Sequence, residues 1–148
     1  VYNGTGGKKE WENITMASTI GGMVINTAGV AIAHGMEHPA SGLKDIVHGQ
    51  GLAALTPIVI EASYKGNEEK FAKIAKIFGG ESAADCADKI RGLLKSVDLE
   101  CKLSDLGIAA EDIPWMAENC MKVSAASIAN NPVVFTQEEI AELYRKAL

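Results

Sequence analysis

The sequence predicts an all-α bundle of about seven helices, and three observations carry that expectation. Apolar residues recur at three- and four-residue steps along most of the chain, the spacing of one helix face. Residues that cap or break helices, such as Asn67, Gly79-Gly80 and the Thr136/Glu139 pair, stand at the ends of these periodic runs. No alternating pattern is long enough for a strand; Pro132-Val133-Val134-Phe135 is too short.

Taken in order, residues 1–10 read as a loop, since Tyr2-Asn3-Gly4-Thr5-Gly6-Gly7 is made of turn formers. The chain opens at Val1 without an initiator Met, so it is expected to start inside a longer polypeptide. The helical domain is expected over 11–148. Residues 14–33 carry no charge, long enough to raise a membrane span. Thr15, Ser18, Thr19, Asn26 and Thr27 are too polar for that, and Gly21, Gly22 and Gly29 weaken a single helix. The better expectation is two buried helices, over about 9–26 and 29–43, in the middle of the bundle. Pro39 should bend or loosen the second, and Pro39, Ser41 and Gly42 form a break before the next. A helix from His48 to Tyr64 follows, kinked at Pro57. Asn67 caps the next, over 68–78, with Phe71, Ile74, Ala75 and Phe78 at helical steps. Ser82 caps a further one to about Val97, turning Cys86, Ile90, Leu93 and Leu94 inward. A turn or short helix at 103–107 leads to an amphipathic helix over 110–123, with Ile113, Met116, Ala117, Cys120 and Met121 on one side. Thr136 and Glu139 form a capping box for the last helix.

At 148 residues this is one domain's worth of chain, 47% hydrophobic and 22% charged. The net charge of −5 gives no electrostatic case for nucleic acid or for an anionic membrane. Cys86, Cys101 and Cys120 are odd in number and have no Cys-x-x-Cys spacing, which speaks against a disulfide framework and a thiolate zinc site. They read as reduced and packed, and the protein as cytoplasmic.

All three histidines fall in one window, Ala33-His34-Gly35-Met36-Glu37-His38-Pro39 and His48-Gly49. A neutral imidazole is the commonest metal ligand in proteins and a proton shuttle near neutral pH. His34 and His38, four apart, stand on one helix face, and His48 can fold back towards it. Such a set suits a metal site. Two other readings compete. The H-x-x-E-H spacing fits an inverted zinc peptidase, with His34 and His38 on zinc and Glu37 activating water. Alternatively, the chain is a non-catalytic helical interaction module whose histidines are merely buried.

A longer pattern separates these. Gly29-x-x-x-Ala33-His34-Gly35-Met36-Glu37-His38-Pro39, then Val47-His48-Gly49-x-Gly51-Leu52-Ala53-Ala54-x-x-Pro57, is similar to the iron-containing (group III) alcohol dehydrogenases. Asp112-Ile113-Pro114, Asn131-Pro132 and Thr136-x-Glu138-Glu139-Ile140-x-x-Leu143-Tyr144 extend the resemblance to nearly the whole chain. It implies the C-terminal, helical, metal-binding half of a two-domain enzyme, without the N-terminal dinucleotide-binding domain. It places two of four metal ligands on His34 and His48; the other two, an Asp and a His, lie on an earlier helix absent here. His38 matches a residue near the nicotinamide and substrate, so it takes the catalytic and cofactor-binding role, as proton relay or positioning group. The implied reaction joins alcohols to aldehydes or ketones: Fe²⁺ or Zn²⁺ acts as a Lewis acid on the alcohol oxygen, and NAD or NADP exchanges the hydride. Glu37 is expected to turn outward or to orient a histidine. Glu37 and Leu52 resemble the butanol-dehydrogenase-like branch, and Val133 departs from the Arg that many relatives carry. The implied partners are a small alcohol or aldehyde and the parent's own nucleotide domain, with a homo-oligomer left open.

Overall fold

The computed structural model describes all 148 residues and contains α-helices, 3-10 turns and no strand. The chain divides into two compact units, Val1–Val30 and Ala31–Leu148.

The first unit holds one helix, α1 (Lys8–Ala28). Glu10 accepts from the backbone N–H of Gly7 at 2.9 Å and starts it. Gly29, at φ +72°, ends it and donates back to the Ile25 carbonyl. The polar residues that argued against a membrane span are absorbed along the helix. Thr15, Thr19 and Thr27 each donate a hydroxyl to the carbonyl four residues earlier, at 2.8–2.9 Å. No single helix of the chain is long and apolar enough to cross a membrane. The expectation of burial is overturned: no α1 residue is buried, and Trp11, Ile14, Met16, Ile20, Met23, Val24 and Ile25 are all exposed. Periodicity alone found the helix, but burial depends on what packs on it, and an all-round apolar helix needs partners on every side.

The second unit is the bundle. Its helices are α2 (Ile32–Lys44), α3 (His48–Ser63), α4 (Glu68–Ile77), α5 (Cys86–Ser96), α6 (Ile113–Val123), α7 (Ala125–Ala129) and α8 (Gln137–Ala147). The seven expected helices are present, and the five-residue α7 is an addition that the sequence reading missed. Of the three expected caps, Asn67 accepts from Lys70 N–H at 3.2 Å and Thr136 from Glu139 N–H at 3.3 Å, whereas Ser82 precedes a 3-10 turn, Ala83–Asp85, and α5 begins only at Cys86. Gly79, at φ +78°, follows the end of α4.

Helix α2 lies against α3, α6 and α7, and α8 closes on α3 and α6. Ile32, Met36 and Ala40, four apart, form the stripe that α2 sends into the core. Leu55 and Val59 of α3, Ile113, Met116 and Cys120 of α6, and Ile140, Leu143 and Tyr144 of α8 meet it. Leu93 and Met121 are exposed rather than inward. The expected break at Pro39, Ser41 and Gly42 does not occur. Helix α2 continues to Lys44 and ends where Asp45 takes a left-handed conformation, φ 53°. A proline inside a helix removes the N–H that would reach the carbonyl four residues back, here that of Gly35. Ser124 supplies the missing donor, its hydroxyl reaching the Gly35 carbonyl at 3.3 Å.

Three carboxylates that tie loop N–H groups sit well below their usual range. Backbone N–H groups of Ser82 and Glu81 do this for Asp85, that of Ala109 and then Lys44 for Asp112, and the N–H and hydroxyl of Thr136 for Glu139. A carboxylate whose folded pKa is depressed stabilises above its unfolded pKa, about 4, and the stabilisation is lost as pH falls through the folded value. The urea midpoint is therefore expected to hold from pH 7 to about 5 and to fall below about 4. The triple change Asp85→Asn, Asp112→Asn, Glu139→Gln should flatten that acid limb; an unchanged limb would refute the assignment.

Candidate metal centre

A short link, Asp45 to Val47, turns the chain from α2 into α3 and brings the start of α3 beside the outer side of α2. The turn is fastened by Ser41, whose hydroxyl lies 2.9 Å from the Ile46 carbonyl. His34, His38 and His48 meet there. Their ring centroids are 5.2 Å apart for His34–His48, 6.0 Å for His38–His48 and 6.3 Å for His34–His38.

These separations differ in what they permit. Two imidazoles that share one cation through nitrogens at about 2.0–2.1 Å, with a tetrahedral angle between them, hold their centroids roughly 5 Å apart. The His34–His48 pair has that spacing. Pairs at 6.0 and 6.3 Å would need the angle at the ion opened far towards a straight line. His38 is also exposed, whereas His34 is half-buried. The geometry thus sets His38 apart from the other two. No group of three or more His, Cys, Asp or Glu side chains is arranged to hold an ion by itself.

Electrostatics suit His34 to a ligand's role. Burial first, then the neighbouring His48 and His38 rings, push its pKa below the ordinary value, against an upward pull from Glu37. At neutral pH its imidazole is uncharged, with a lone pair free for a cation.

Glu37 does not turn outward. Its side chain is 0% exposed, while that of His48 is 51% exposed. One carboxyl oxygen takes His48 Nδ1 and the other takes the Ser41 hydroxyl. A carboxyl group held this way is not placed to activate water, which removes the role the peptidase reading gave it. The hint of this in the sequence is the four-residue step from Glu37 to Ser41, which stacks them on one helix face. Gly35 has a packing reason as well: a Cβ there would lie 2.9 Å from Ser124 Cβ and 3.3 Å from Ser127 Cβ. The glycine inside the histidine motif lets α7 approach.

The three cysteines are free and take no part in this cluster. Cys86 and Cys120 are buried, and burial pushes the Cys120 thiol up to about 11.

Over residues 1–148 the chain matches the Fe-containing alcohol dehydrogenase family, C-terminal. It is 37% identical over 144 residues to the 1,3-propanediol dehydrogenase of Klebsiella pneumoniae, across 92% of this chain and 37% of that protein. It is similar to the crystal structure of a 1,3-propanediol oxidoreductase, with a TM-score of 0.77 and 36% identity over 86% of this chain and 35% of that one. It is also similar to the NADH-dependent butanol dehydrogenase A of Thermotoga maritima, with a TM-score of 0.68 and 30% identity over 78% of this chain and 32% of that one. The chain therefore spans about a third of the length of these relatives.

Proposed function

This chain belongs to the C-terminal part of the Fe-containing alcohol dehydrogenase family, and from that premise we propose that it is the metal-binding half of an NAD(P)-dependent alcohol dehydrogenase. The parent would interconvert alcohols with aldehydes or ketones. The observation that carries this reading is the 5.2 Å pairing of the His34 and His48 rings, with Nδ1 of His48 already taken by a buried carboxyl group.

In this reading His34 and His48 hold one side of a divalent cation, Fe²⁺ or Zn²⁺, and an Asp and a His elsewhere in the parent hold the other. The cation, when bound, supplies Lewis-acid polarisation of the alcohol oxygen, and NAD or NADP supplies hydride exchange. The side chains here do the rest. His34 and His48 fix the reacting oxygen relative to α2. Exposed His38 carries a proton to or from solvent or positions the nicotinamide. Residues 11–148 form the helical domain of this scheme, which docks on the parent's own nucleotide-binding domain. The chain alone is expected to be inactive. Three free cysteines support a reducing compartment, the cytoplasm. A net charge of −5 supports small-molecule partners rather than nucleic acid.

The substrate class we propose is a short primary alcohol and its aldehyde. Glu37 and Leu52 favour the butanol-like branch, while 37% identity to a 1,3-propanediol dehydrogenase favours the diol. Steady-state oxidation of butan-1-ol and propane-1,3-diol by the full-length parent separates them. Chelation should abolish turnover with either alcohol, and added Fe²⁺ or Zn²⁺ should restore it. Turnover that survives metal removal would sink the reading.

A further inference from the structure

We propose that Glu37 is a positioning residue: its buried carboxyl group fixes His48 as the tautomer protonated on Nδ1 and so turns Nε2 towards the space shared with His34. This deepens the metal-binding reading and rests on it for the cation alone.

A carboxyl group removed from water is costly unless its oxygens find partners. Glu37 is wholly buried, and both its oxygens are partnered, one by Ser41 and one by His48. Ser41 in turn lies 2.9 Å from the carbonyl of Ile46, two residues before His48. The carboxyl group is thus tied to the same turn that delivers the imidazole. Space for it depends on Gly51, one turn along α3 from His48. A Cβ at Gly51 would lie 2.8 Å from Glu37 Cγ and 2.9 Å from Oε1. Helices α2 and α3 meet around this side chain, and a residue other than glycine would displace it.

The consequence follows from the imidazole's two nitrogens. A neutral ring carries a proton on one and a lone pair on the other, and the hydrogen bond made by the first decides which. A carboxylate accepts, so Nδ1 of His48 donates and Nε2 keeps the lone pair. The ring of His48 is half-exposed, so it would otherwise sample both tautomers and several orientations. Histidines that bind metals commonly give their other N–H to a carboxylate, and losing that partner weakens binding by about 10–100-fold.

The test is ¹⁵N NMR of the histidine rings in the metal-free 148-residue chain, with Zn²⁺ affinity measured by competition against a chromophoric chelator. The expected result is an Nδ1–H tautomer for His48, a tautomer mixture in the near-isosteric Glu37→Gln variant, and Zn²⁺ binding weakened by about 10–100-fold in that variant. Gly51→Ala, which keeps the charge but moves the carboxyl group, should shift the His48 signals in the same direction; His38 should report no change in either. A predominant Nε2–H tautomer in the unaltered chain, or His48 signals indifferent to Glu37→Gln, overturns the proposal. Absence of Zn²⁺ binding by the two donors of this chain, with the Nδ1–H tautomer present and lost in Glu37→Gln, supports the positioning role; failure of the cation reading shows separately, as turnover of the full-length parent that survives metal removal.

Discussion

Alanine at either His34 or His48 is expected to strip the divalent cation from the full-length parent, with loss of turnover following from loss of metal. Each substitution removes one donor of a four-donor set. Water replaces it but brings neither the preset position nor the basicity of an imidazole held by packing. The effect should exceed the roughly 10–100-fold that loss of an outer hydrogen-bond partner costs, enough for the ion to be lost during gel filtration. His38→Ala is the control that makes the result specific. Its ring is 6.0 Å from His48 and 6.3 Å from His34, a poor spacing for a shared ion. That variant should keep its metal while the pH profile of turnover changes. Elemental analysis of the three purified variants measures this. Full metal content in both His34→Ala and His48→Ala would end the metal assignment, and metal loss in His38→Ala alone would move it to His38.

What the sequence could and could not disclose follows from the physics of each feature. The Thr136/Glu139 box and the Asn67 cap are local: the partners are three residues apart, and both appear where the letters put them. The clustering of His34 and His48 was half-legible. The four-residue step from His34 to His38 fixes a face, but the return of His48 depends on Asp45 adopting φ 53°, which non-glycine residues rarely take. Burial of Glu37 was not legible, because its partners come from the next turn and from α3. The span of α2 through Pro39 was legible, as the helix expected over about 29–43, but the donor that compensates the Gly35 carbonyl was not, because Ser124 is 89 residues away. Helix α1 failed in the opposite direction. Its composition calls for burial on all sides, and its exposure shows that composition states a demand without naming what meets it.

The support of α2 from a distance also sets the largest expected change in stability. Tyr144 of α8 is fully buried, and its hydroxyl donates to the carbonyl of Met36 at 2.5 Å, next to Glu37 in the histidine motif. Burial above all, with Cys120 and Glu37 nearby, pushes its ionisation far up, so the hydroxyl stays a donor at any working pH. Tyr144→Ala removes the ring and leaves a cavity among Met36, Met116 and Ile140; large aromatic-to-alanine changes in cores cost about 3–5 kcal/mol. Against a total stability of about 5–15 kcal/mol for a domain, that approaches unfolding. Tyr144→Phe keeps the ring and removes only the donor, so about 0.5–1.5 kcal/mol is expected, the net worth of one hydrogen bond, because the Met36 carbonyl still faces the helical N–H of Ala40. Ser124→Ala strands the adjacent Gly35 carbonyl, whose helical donor Pro39 lacks, and should cost about 1–3 kcal/mol. Both hydroxyls act on successive carbonyls of one proline-containing helix, so the double variant should depart from additivity. Urea unfolding of the four variants decides it. A Ser124→Ala midpoint equal to that of the unaltered chain would mean that α2 needs no external donor, and that its path through Pro39 is held by packing alone.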